Sequence, residues 1–184
     1  MMRILNQKEV EAIVTRGRKA PENEITAILD ELEIKHPQVY RLIYGEPSDA
    51  LATVNKDMAN LYLDLSCDVV MVFREAFGKI PEITNEEHWV LKKLSLIDAE
   101  LKSLTNEIPM EDKFRTNLQE RFVKSSFESK IQLEVLRYLE SEVRNYASFN
   151  KKRAMASHFT NSLLFVLVRL MGELYMVKAE ESIT

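Results

Sequence analysis

Between Pro109 and Gly172 the chain contains neither glycine nor proline. Those are the residues that most readily end a helix, so the stretch is expected to be helical with few breaks. A single helix from Glu111 to Lys178 would be about 100 Å long, too long for a compact unit of this size. A break is therefore expected at Ser148-Phe149-Asn150-Lys151, because Asn tolerates the left-handed cap conformation. A kink near Ser125-Ser126 is the second candidate. The expected helices are 111–148 and 152–178.

Helical spacing also dominates upstream. Asn6 and Glu9 form a capping box for a helix to Arg18, with Val10, Ile13 and Val14 on its apolar face. Ile25, Ile28, Leu29 and Leu32 mark a helix from Asn23 to Lys35. Pro37 stops it and opens a short helix to Tyr44; Gly45 and Pro47 then break the chain. Ser48 is expected to cap a long helix that ends at Phe77, before Gly78. Thr84 and Glu87 read as a second capping box, for a helix to Asn106. Its seam is Val90, Leu94, Ile97, Leu101, Leu104 and Ile108. Four glycines and five prolines in 184 residues are too few for the turns of a sandwich or barrel. The expected fold is all-α, an antiparallel bundle of four long helices (48–184) with a small N-terminal helical cap (1–47), in one compact unit.

The net charge of −4 argues against a general nucleic-acid binder. Cys67 is the only cysteine, which excludes an intrachain disulfide and fits a reducing cytoplasm. The N-terminus lacks the apolar stretch of a signal peptide. The longest strongly apolar run, Leu163 to Leu170, is interrupted by Arg169 and falls short of the roughly 20 residues a membrane span needs. A cytoplasmic protein without a membrane span is expected.

Charge is unevenly distributed. Residues 22–112 carry 8 basic and 19 acidic side chains, whereas residues 113–153 carry 10 basic and 5 acidic. Asp57, Asp64, Asp68 and Glu75 fall close to one line along helix 48–77. Lys130, Arg137, Arg144 and Lys151 recur every seven residues on helix 111–148. The two stripes are expected to pair antiparallel, Asp64 near Arg144, Asp68 near Arg137 and Glu75 near Lys130, fixing register more than adding stability. The alternative for the same acids is a magnesium or manganese site serving a hydrolase. The one Glu-x-x-His, Glu33 to His36, has no second copy, and Glu-x-x-Glu is absent, which disfavours helical di-iron and pyrophosphatase chemistry. His36, His88 and His158 read as ordinary surface or boundary residues and Cys67 as a buried, inert thiol. The basic clusters Arg16-Gly17-Arg18-Lys19 and Lys151-Lys152-Arg153 lack an interleaved aromatic platform.

Helix 152–178 is apolar on two faces. Its second face carries Asn161, Phe165, Val168, Gly172 and Met176, and such a helix is either central or shared with a partner. The functional expectation is a non-enzymatic, cofactor-free interaction or scaffold protein. It would be a homodimer through helix 152–178 or helix 48–77, and would also engage a protein partner. A small-molecule pocket lined by Tyr62, Phe73 and Phe165 is the remaining reading.

Overall fold

A computed structural model describes residues 2–104, 108–127 and 132–181. Within them the chain is all-helical, with α1 (Gln7–Lys19), α2 (Glu22–Lys35), α3 (Pro37–Tyr44), α4 (Glu46–Val54), α5 (Lys56–Phe77), α6 (Glu86–Ser103), α7 (Asp112–Phe127), α8 (Leu133–Ser148) and α9 (Lys151–Glu181). The Asn6–Glu9 capping box forms at α1 as expected. Gly78 ends α5 at φ +90°, a conformation that favours glycine. Gly45 lets α3 turn tightly into α4: a Cβ there would sit 2.5 Å from the Arg41 carbonyl oxygen.

Three expected boundaries are displaced, each for a local reason. Helix 48–77 is two helices, because Asn55 turns extended and its side chain accepts the Met58 N–H at 3.0 Å. Ser48 is no cap of a long helix; its hydroxyl donates to the Gly45 carbonyl. The Thr84–Glu87 box is not formed. Left-handed Asn85 precedes α6, and Glu86 is drawn instead to the Gln38 N–H at the start of α3. Helix 111–148 is likewise two helices; α7 runs through Ser125-Ser126 to Phe127. The break before α9 falls where expected, but Asn150 is not left-handed. It opens α9 instead, its side chain accepting the Lys152 N–H.

The packing also departs from an all-antiparallel bundle of the four expected helices. α5 and α9 run parallel: Asp57 meets Arg153 at one end, and Phe73 and Phe77 meet Tyr175 at the other. α1 runs antiparallel to α5, with Gly17 against Met71 and Arg18 against Asp68. It runs parallel to α8, with Leu5 bonded to Gln132 and Arg18 to Tyr138. α8 folds back antiparallel on α9. The N-terminal segment is therefore no mere cap. Val10, Ile13 and Val14 of α1 join Leu65, Val69, Val72, Val135, Leu139, Leu167 and Leu170 in one core. α6 lies on α9, antiparallel to it, and α7 lies back along α6. α2 and α3 pack at the flank of α5, where Arg74 bonds Glu31 and the Tyr62 hydroxyl donates to the Leu42 carbonyl.

α9 is long and apolar enough to cross a membrane by length and composition from Lys151 to Val177. Within the fold 61% of its apolar window is buried, the position of a core helix.

Candidate functional site

The acidic stripe of α5 is gathered against cations, but not against those of α8. Asp57 accepts from both Nε and Nη2 of Arg153, at 3.0 and 2.9 Å. Glu75 pairs with Arg16. Asp68 is buried and accepts from Arg18 at 2.8 Å and from the Tyr138 hydroxyl at 2.8 Å. Glu142 stands 3.5 Å from the same guanidinium. Asp64 is exposed beside this centre; partial burial, then the neighbouring Asp68, push its carboxyl above the ordinary range. The partners thus come mainly from α1, through Arg16 and Arg18, and not from the stripe on α8. Arg137 pairs with Glu134 on its own helix. Arg144 and Lys151 are exposed, and Lys130 lies outside the described residues. The basic cluster at the end of α1 is accordingly tertiary in role, beyond complementing a helix dipole.

Chemically, the Asp68 centre is a structural clasp. Burial, then the Asp68 charge, drive the Tyr138 hydroxyl upward, so it remains a donor. The hydrogen bond to Asp68 raises Arg18 further above its already high value. Next to it, Gln7, Glu11, Arg137, Ser141 and Glu142 line a shallow cleft of about 410 Å³ between α1 and α8. Among the described residues no group of three or more His, Cys, Asp or Glu side chains is placed to hold a metal ion.

A second centre lies on the other side of α9, and it is more deeply buried. Arg169 and Glu100 are each 1% exposed and Glu173 is 4% exposed. Arg169 Nη2 stands 3.1 Å from Glu173 and 3.5 Å from Glu100. Two less buried cations close the cluster: Lys93 donates to Glu173 at 2.9 Å and Arg121 to Glu100 at 2.9 Å. α6, α7 and α9 are thus joined by charge through their contact. Nε and Nη1 of Arg169 are buried without an acceptor among the described residues, the kind of group that ordered water satisfies. Sequence reasoning missed this centre, although its signals were present. Arg169 interrupts the most apolar run, Glu173 follows it by one turn, and Glu100 follows Ile97 by three residues on the buried seam.

The remaining candidates are scattered. His36 is not at the surface: it is 1% exposed, with Nδ1 3.4 Å from Glu86. His88 and His158 are exposed. Cys67 touches the Tyr44 hydroxyl at 3.2 Å, and burial pushes its thiol up, away from the nucleophilic thiolate. Tyr62 and Phe73 are in the core, whereas Phe165 is half-buried against Phe122 of α7. On the second face of α9, Val168 and Gly172 are buried within the chain; Asn161, Phe165 and Met176 are half-buried. Two of the five positions on that face are thus covered by the chain itself.

No protein-family model, curated protein or solved structure matches the chain.

Proposed function

We propose that the chain is a non-enzymatic helical interaction protein that self-associates, and that the contact is made at the end of α6 and the start of α7. The observation that carries this reading is the fate of the α6 seam. Val90 and Ile97 are buried, Leu94 and Leu101 half-buried, and Leu104 and Ile108 exposed. Phe114, at the start of α7, is 54% exposed beside them in sequence and in the same polar knot: Arg115 donates to the carbonyls of Ser103 and Ile108. Exposed apolar side chains thus gather where α6 ends and α7 begins. A second copy presenting the same stripe would bury both, the self-complementary contact of a two-fold dimer. On the second face of α9, Val168 and Gly172 are already buried inside the subunit. Within the dimer we read α1, α5, α8 and α9 as the rigid core, with α6 and α7 as the presenting arm.

The ion pairs of Asp57, Asp68 and Glu75 support a scaffolding use of the acidic stripe. Light scattering at micromolar concentration tests the proposal. A dimer is expected, and Leu104→Ser with Phe114→Ser should return it to a monomer of unchanged helicity. A monomeric wild-type mass overturns the reading.

A further inference from the structure

The two most exposed large apolar side chains among the described residues are Phe149 and Met155, each 83% exposed. They lie six residues apart on the same corner, where α8 turns into α9. Val54, also exposed, is on the neighbouring corner between α4 and α5. The Arg153 side chain ties the two corners together. It lies 4.1 Å from the centre of the Tyr146 ring and bonds Asp57 at the start of α5. Apolar groups this exposed on a well-anchored corner contribute nothing to the core.

The charge around them is one-sided. In an acidic chain, no Asp or Glu occurs between Glu142 and Glu173, while Arg144, Lys151, Lys152 and Arg153 fall beside or on the turn. Arg144, Lys151 and Lys152 are exposed and make no ion pair among the described residues, as does Lys56 across the gap. Asp57, the acid facing this corner from α5, is already engaged by Arg153. Lys151 and Lys152 open α9, and Lys56 opens α5. Cations at these positions oppose the positive end of each helix dipole. Because α5 and α9 run parallel, both positive ends point to the same pole. Stability would favour acids here, so another demand must account for the cations.

We infer that this pole adsorbs to an anionic lipid surface. Phe149 and Met155 would enter the boundary between headgroups and acyl chains, with Lys151, Lys152 and Lys56 at the phosphate level. Exposure and charge select this occupant. The pole joins two protruding apolar tips, Phe149 and Met155, to exposed lysines that make no ion pair among the described residues. It exposes the Phe149 ring, with Tyr146 half-buried under Arg153, rather than the succession of rings that stacks nucleic-acid bases. Protruding apolar groups ringed by lysines match the lipid interface, where the two contributions add.

Vesicle flotation of the full-length chain tests this. Phosphatidylcholine vesicles containing phosphatidylserine should carry the protein at low salt, and vesicles of phosphatidylcholine alone should not. Raising the salt should release it, since surface charge is screened within about 10 Å at 0.1 M. Lys151→Glu with Lys152→Glu should abolish flotation, each lost lysine costing about five-fold in partition. Phe149→Ser with Met155→Ser should weaken it about ten-fold or more without lowering Tm, because both side chains are exposed. Phe149→Trp should show a blue-shifted emission on binding. The inference falls if anionic vesicles fail to carry the protein at low salt, or if both double variants float like the wild type. It also falls if Phe149→Trp emission is unmoved, or if Phe149→Ser instead dissolves a dimer or weakens binding to single-stranded DNA.

Discussion

α1 and α6 both lie along the helices of the core, yet they are seated by opposite chemistry. α1 presents Val10, Ile13 and Val14 to α5 and α8, and its ions, Arg16 and Arg18, are themselves exposed as they pair with Glu75 and Asp68. α6 offers only Val90 and Ile97 as fully buried apolar groups, and its ions are inside: Glu100 and the Arg169–Glu173 pair of α9. An apolar seat is tolerant of small displacements, because area burial has no preferred direction. An ionic seat is demanding. Its partners must stay matched or a charge is stranded in a poor solvent. α1 is therefore held by a strong but forgiving contact, and α6 by one that specifies position.

That contrast can be broken most forcefully at Glu100. Glu100→Ala leaves Arg169 with a single buried carboxylate and should cost about 3–5 kcal/mol in chemical denaturation; a loss below about 1 kcal/mol would mean the cluster is solvated. Ile13→Ala, the matching change on α1, should cost about 2–4 kcal/mol, the ordinary penalty of a core cavity. The most discriminating variant replaces the buried triad together, Glu100→Leu, Arg169→Met and Glu173→Leu. Its stability should equal the wild type or exceed it by about 1 kcal/mol, because desolvation of the ions is removed with them. Additive losses from the three changes would show that the ions stabilise outright.

Smaller effects sharpen the comparison. Native-state hydrogen exchange should find α6 and α7 opening at lower free energy than α1, α5, α8 and α9, since they bury fewer apolar groups. Equal protection would make the arm part of the core. On the other flank, the Arg74 hydrogen bond, and then nearby charge, hold the Glu31 carboxyl below its ordinary value of 4.5. A depressed folded value contributes stability above about pH 4.5 that is lost as pH falls through it. The stability difference between wild type and Arg74→Met should therefore be constant above about pH 5 and shrink on acidification. A difference that stays constant down to pH 3 would sink that assignment. The effect is small because the pair is a quarter exposed and screened by water.

What could be read in advance follows the same division. The α1 cap and its apolar face were legible, because both are written in residues three and four apart. So was the turn at Ser148 to Lys151. The break at Asn55 was not: the apolar spacing continues across it from Leu51 to Met58, and a capping Asn looks like any mid-helix Asn until the backbone is seen to extend. The acids of α5 were correctly seen as one line, but their partners could not be named, since Arg16 and Arg18 reach them across about 50 to 60 positions of sequence. On α9, two apolar faces correctly implied either centrality or a partner; spacing alone could not choose, and Val168 and Gly172 prove central.

The parallel alignment of α5 and α9 has a consequence for biogenesis. Asp57 and Arg153 are 96 positions apart, so a growing polypeptide presents the apolar side of α5 long before its cover has been translated. At about 5–20 residues per second, that interval lasts on the order of 5–20 s. Until α9 leaves the ribosome, the nascent chain carries an uncovered sticky surface, and its escape from aggregation depends on the speed of elongation or on shelter by a chaperone.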